Sequence, residues 1–203
     1  MLSGVKLSHF DNGGDSLRLS VRQISNGSGV SLALELRGPD GRRHYSATAQ
    51  LADRLPVGAG APTHTLPAWD GPVYGGVLFH GPDFQVIADV EGVSKEGGAA
   101  TMRGVRQSGW RDEGWATDVA AMDGGLQLAL LWTQEVLGGK SLPTGVGALR
   151  LASEAPSEGL VRCVLTGRRA SGSKTVSDLI FVDSAGRTVA ELDAVETHLL
   201  PQA

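Results

Sequence analysis

The sequence predicts an α+β fold in which antiparallel strands wrap one buried helix, and three observations carry that prediction. Two early segments alternate with the period of a half-buried strand: Leu17, Leu19, Val21 and Ile24 are interleaved with Arg18, Ser20 and Arg22, then Val30, Leu32, Leu34 and Leu36 with Ser31, Ala33 and Glu35. The pattern turns to period 3.6 between Val119 and Leu137, and strand-like runs follow. Glycine, 29 of 203 residues, is about twice its usual ~7% share, with no collagen period, which suits many tight turns.

Taken in order, the first two strands are separated by Ser25-Asn26-Gly27-Ser28-Gly29, and the second joins His44-Tyr45-Ser46-Ala47-Thr48 through Gly38-Pro39-Asp40-Gly41. Both connections are turn-forming, so residues 1–52 read as an antiparallel meander. Residues 53–72 carry Pro56, Pro62, Pro67 and Pro72 with Gly58 and Gly60, and read as a linker. Residues 73–203 form the larger part: a glycine-broken segment, strands at 84–91 and 99–107, and a loop around 108–114.

The helix follows. Met122, Leu126, Leu130 and Leu131 recur at helical spacing, and Ala129, Trp132 and Val136 widen the stripe until Leu128–Trp132 is apolar all round. Such a helix belongs inside a core. Asp118 is its predicted N-cap, and Gly138-Gly139 its stop, with Lys140 favoured by the helix dipole. Strands at 147–151, 160–166, 176–183 and 188–196 complete the chain, the last two joined through Asp183-Ser184-Ala185-Gly186. A sheet wrapped round a central helix is the hot-dog architecture, and the first part supplies strands of the same kind without a helix of its own.

Composition excludes several functions. With 18 Lys+Arg against 22 Asp+Glu, no basic excess is present to neutralise phosphates, so a nucleic-acid partner is not expected. The single cysteine, Cys163, forms no internal disulfide and no cysteine-based zinc site, and points to a reducing, cytoplasmic setting. No metal-ligand spacing and no Walker-type phosphate loop occurs. The first residues lack the apolar run of a signal peptide, and no segment is long enough to cross a bilayer, so no membrane is expected.

Two stretches are more specific: Tyr74-Gly-Gly-Val-Leu-Phe-His-Gly-Pro-Asp-Phe-Gln85 and Met122-Asp-Gly-Gly-Leu-Gln127. The first resembles the Gly-Pro-x-Phe-Gln motif, and the second the Asp-x-x-x-Gln helix motif, of dehydratase domains in polyketide synthases and bacterial polyunsaturated fatty acid synthases. Their wording is closer to the latter, their order and spacing also match, and the likeness is best over the carboxy-terminal half. The resemblance implies a double hot-dog fold that removes water from a β-hydroxyacyl chain held on the phosphopantetheine of an acyl carrier protein, with no further cofactor. It makes the carrier protein and neighbouring synthase domains the partners.

Residue by residue, the resemblance makes Asp123 the catalytic carboxyl and Gln127 its partner, one helical turn away on the same face. Tyr74, Phe79, His80, Gly81, Pro82 and Phe84 fall to substrate binding, with Gly124 and Gly125 giving the acyl chain room. The bland alternatives are a first-turn charge for Asp123, a structural role for His80 beside Gly81-Pro82, and packing for Trp110, Trp115 and Trp132. The family's catalytic His lies in a His-x-x-x-Gly-x-x-x-x-Pro motif; His9 and Gly13 keep its first half, but Arg18 stands at the Pro position. The sequence reading therefore places that His and the first central helix upstream of this chain, or lost. A non-catalytic hot dog that binds an acyl chain or braces synthase domains is the alternative. The helix-free strands 17–24, 30–37 and 43–51 present an apolar face that the second half, a partner chain or homodimerisation would cover. A carbohydrate-binding β-sandwich would explain the strands but not the buried helix.

Overall fold

The computed structural model describes residues 16–25, 30–53, 57–111 and 114–201. The chain divides into two units, Met1–Leu55 and Pro56–Ala203. In the first, β1 (Arg18–Ser25), β2 (Val30–Arg37) and β3 (Arg43–Leu51) form an antiparallel three-stranded sheet in the order β1-β2-β3. The turn into β3 closes as its chemistry predicts: Gly41 has φ 77°, and the Arg42 N–H donates to Asp40 Oδ1 at 2.9 Å. Register puts Leu19, Leu36 and Tyr45 in one row across the sheet and Val21, Leu34 and Ala47 in the next. One face is thus apolar, and at its β1 edge Leu19 and Val21 are more than half exposed. No helix occurs among the described residues of this unit.

The second unit is a seven-stranded antiparallel sheet around one helix. Its strands are β4 (Ile87–Val93), β5 (Gly97–Met102), β6 (Ser141–Gly145), β7 (Ala148–Leu151), β8 (Val161–Ser171), β9 (Lys174–Val182) and β10 (Thr188–Leu199). They run β4-β5-β8-β9-β10-β6, with β7 also paired to β10. The helix, α1 (Val119–Leu137), has the predicted ends. The Asp118 carboxylate accepts from the Ala121 N–H at its mouth, and Gly138, with φ 73°, closes it in the left-handed region.

Leu128, Leu130, Leu131 and Trp132 of α1 are buried in one cluster with Met102, Leu165, Leu179, Phe181 and Val195. Burial of this kind contributes roughly 1.5–3 kcal/mol per large side chain. Trp132 lies over Gly167, where an added methyl would come within 2.9 Å of the indole Cε2. The cluster also takes in Cys163, whose thiol burial pushes well above its ordinary range, so it stays protonated and inert. At the far end of the helix the hydroxyls of Thr133, Thr175 and Thr197, all buried, meet at 2.6–2.9 Å, while Thr133 also donates to the Ala129 carbonyl.

Several boundaries differ from the sequence reading. The expected strand at 84–91 starts at Ile87, because Pro82–Phe84 form a 3-10 turn, and the one expected at 99–107 runs from Gly97 to Met102. β6 has no counterpart among the strands expected from the sequence. Residues 57–72 carry no strand or helix, yet Trp69 packs against the core and His64 lies 3.0 Å from the Thr166 hydroxyl.

Candidate active site

Of the sequence-predicted residues, Tyr74, Phe84, Asp123 and Gln127 meet in the amino-terminal half of α1. Residues 74–78 form a short turn: Tyr74 bridges to Leu78, Gly75 takes φ 87°, and Leu78 inserts into the core at 1% exposure. Anchoring Leu78 fixes the turn, and the turn puts the Tyr74 hydroxyl against the start of β4, where it accepts the Ile87 N–H at 2.8 Å. The following turn is shaped by Gly81 and Pro82: the Phe84 N–H donates to the Gly81 carbonyl, and Gln85 reaches back to the His80 carbonyl at 3.1 Å.

Gln127, 1% exposed, gathers these elements. Its Oε1 accepts the Tyr74 hydroxyl at 2.8 Å, and its Nε2 donates to the Phe84 carbonyl at 2.8 Å and to Asp123 Oδ2 at 2.7 Å. Asp123 is half-buried, and its Oδ1 accepts no hydrogen bond among the described residues. Helical spacing, which sets residues four apart on one face, brings the carboxyl and the amide together.

Burial raises the Tyr74 phenol above its ordinary range, against the opposing effect of the Ile87 N–H and the nearby Arg103 charge, so the hydroxyl keeps its proton. Burial lowers His80 below the ordinary imidazole range, with the Asp123 charge acting in the opposite sense, and favours the neutral ring. His80 Nδ1 is buried without a partner, and the ring stacks on Phe79 at 4.9 Å. Phe79 and Phe84 are exposed at 64% and 52%. Phe84 meets Trp110 edge-on at 5.4 Å, and Trp110 donates to the Asp83 carbonyl at 3.0 Å.

Gly124 and Gly125 depart from the reading that gave them to an acyl chain. Methyls there would come within 2.7 Å of Met102 Sδ and of Phe181 Cε1 respectively, so core side chains already fill the space. Sequence reasoning also missed the extent of Asp118. Buried at 5%, it accepts from Val105 and Ser157 N–H groups at 2.9 and 3.2 Å as well as from Ala121, and so ties two loops to the helix mouth. Only its N-cap role had a local signal.

Comparison with known proteins identifies the architecture. A family model described as "Polyketide synthase dehydratase N-terminal domain" matches residues 40–203. No curated protein sequence matches the chain. Among solved structures, the dehydratase domain of a mycocerosic acid synthase-like polyketide synthase superposes with a TM-score of 0.73 at 18% identity, over 91% of this chain and 68% of that one. The dehydratase domain from the CurH module of curacin polyketide synthase gives 0.70 at 13%, over 94% and 71%. The dehydratase domain of PpsC from Mycobacterium tuberculosis, in complex with C12:1-CoA, gives 0.69 at 21%, over 92% and 69%. At these identities the structures establish the antiparallel hot-dog fold, and with most of the sequence matched by the family model, the chain belongs to the polyketide synthase dehydratase family.

Proposed function

We propose that this domain acts on β-hydroxyacyl thioesters carried on the phosphopantetheine of an acyl carrier protein, as a dehydratase domain working among the other domains of a polyketide or polyunsaturated fatty acid synthase. The observation that supports this is the bonded set Tyr74–Gln127–Asp123. Gln127 occupies Asp123 Oδ2, and Oδ1 accepts no hydrogen bond among the described residues. Asp123 gives a proton to the β-hydroxyl, the C–O bond breaks and water departs. The α-proton goes to a base on the opposite wall, and the electron pair left behind forms the α,β double bond. In the family that base is the His of the His-x-x-x-Gly-x-x-x-x-Pro motif.

Arg18, at the Pro position of that motif, favours a second reading in which the same site holds an acyl thioester without turning it over. Affinity separates the two. By calorimetry, β-hydroxybutyryl-pantetheine should bind about tenfold tighter than butyryl-pantetheine, the upper end of what one hydrogen bond contributes. Asp123→Ala should abolish that preference. Equal affinities in the unaltered chain would leave only the holding role, and failure of both thioesters to bind would sink both readings.

A further inference from the structure

We infer that Tyr74 is a positioning residue: its hydroxyl fixes the orientation of the Gln127 amide, and through it the oxygen of Asp123 that remains available to a substrate. The inference rests on the reading of Asp123 as the reacting carboxyl and adds the part of the fold that aims it.

The direction of each bond is forced. The Tyr74 oxygen accepts the Ile87 N–H, a backbone group that can only donate. The phenol, kept protonated by burial, has one proton left, and Gln127 Oε1 stands 2.8 Å away to take it. With its oxygen committed there, the amide turns its NH2 toward the Phe84 carbonyl and Asp123 Oδ2, and both accept it whether or not Asp123 Oδ1 carries a proton. A flipped amide would set its oxygen against the Phe84 carbonyl and the Asp123 carboxyl, and would leave the Tyr74 hydroxyl proton facing an NH2 that cannot accept it. A polar chain therefore runs from the β4 backbone to the carboxyl, and each member has one way to point.

Remove the Tyr74 hydroxyl and the ring can still pack, but the amide loses the donor that holds its oxygen. The bonds to Phe84 and Asp123 then have nothing opposite to hold them in register. A purely structural role for Tyr74, as packing for the 74–78 turn, would leave the Gln127 amide untouched.

The side-chain NH2 of Gln127 reports this directly. In 1H–15N spectra of the full chain its two protons should exchange with solvent far more slowly than those of the exposed Gln50. In Tyr74→Phe that exchange should quicken by about fivefold or more, the change expected on losing one such bond, and both signals should move, while the backbone amides of Leu128–Thr133 keep their protection. Unchanged Gln127 signals in a folded Tyr74→Phe chain would overturn the proposal. Should Tyr74→Phe not fold, the unaltered chain still decides: Gln127 side-chain exchange as fast as that of Gln50 overturns it, and slow exchange with separate, shifted signals supports it. Neither readout needs a thioester. Loss of thioester binding would therefore defeat the proposed function and leave this lock standing, whereas binding with a freely exchanging Gln127 would do the reverse.

Discussion

Asp123 and Gln127 are the part of the site most legible in the sequence, since residues four apart on a helix share a face whatever surrounds them. Their dependence on Tyr74 was hidden: the hydroxyl reaches Gln127 across 53 positions and only because the 74–78 turn is pinned by Leu78. His80 keeps both of its sequence readings, since its ring stacks on Phe79 and its Nδ1 is buried without a partner. Asp123 is half-buried and held on one oxygen, so the proposed role asks little of it in the core. Asp123→Asn should therefore leave the melting temperature unchanged or raise it, because the amide oxygen can still accept from Gln127. With β-hydroxybutyryl-pantetheine as substrate, Asp123→Asn should slow enoyl thioester formation by ~10²–10⁴-fold, the share that one positioned proton donor commonly supplies. Enoyl product that vanishes in Asp123→Asn would show that a base lies within these residues, with His80 and His9 the first to replace. Residue 9 lies outside the described residues.

At the scale of the element, the helix was read correctly to its ends because a continuous apolar stripe, an acidic N-cap and a paired-glycine stop all agreed. Strand β6 was missed because Pro143 interrupts Ser141–Gly145; the structure accommodates it by placing β6 at the end of the sheet order, opposite Thr197 of β10. Glycines within the helix were the least legible feature. A glycine that makes room for a ligand and one that makes room for Phe181 look alike in sequence, and only the packing distinguishes them. Thermal or urea unfolding checks this reading of the helix. Leu130→Ala should cost about 2–5 kcal/mol through lost burial and a residual cavity. Gly125→Ala should also destabilise, because crowding Phe181 costs roughly 1–3 kcal/mol and outweighs the ~1 kcal/mol that alanine gains in helix propensity. A neutral Leu130→Ala, or a stabilising Gly125→Ala, would mean that α1 is not packed as described.

On the scale of the whole molecule, the alternation in residues 17–37 and the Gly38–Gly41 turn into a third strand were enough to give the three-stranded meander and its apolar face, since register follows from which side chains must share a side. Leu19 and Val21 stand exposed on that face in the structure, as the absence of a helix from the described residues of this unit would lead one to expect. No helix among the described residues is long and apolar enough to cross a membrane. The motif pair Gly81-Pro-Asp-Phe-Gln85 and Asp123-x-x-x-Gln127 carried the family from sequence alone through wording, order and spacing, and in the structure the two stretches meet at Gln127. What composition could not supply was the location of a ligand, and that is the central claim: the thioester is held at the head of α1, against Asp123. Titrating a 15N-labelled chain with β-hydroxybutyryl-pantetheine locates it most directly. The account predicts shift changes concentrated at Phe79, His80, Phe84, Asp123 and the Gln127 side chain; changes confined to β1–β3, or spread without focus over the sheet, would contradict it.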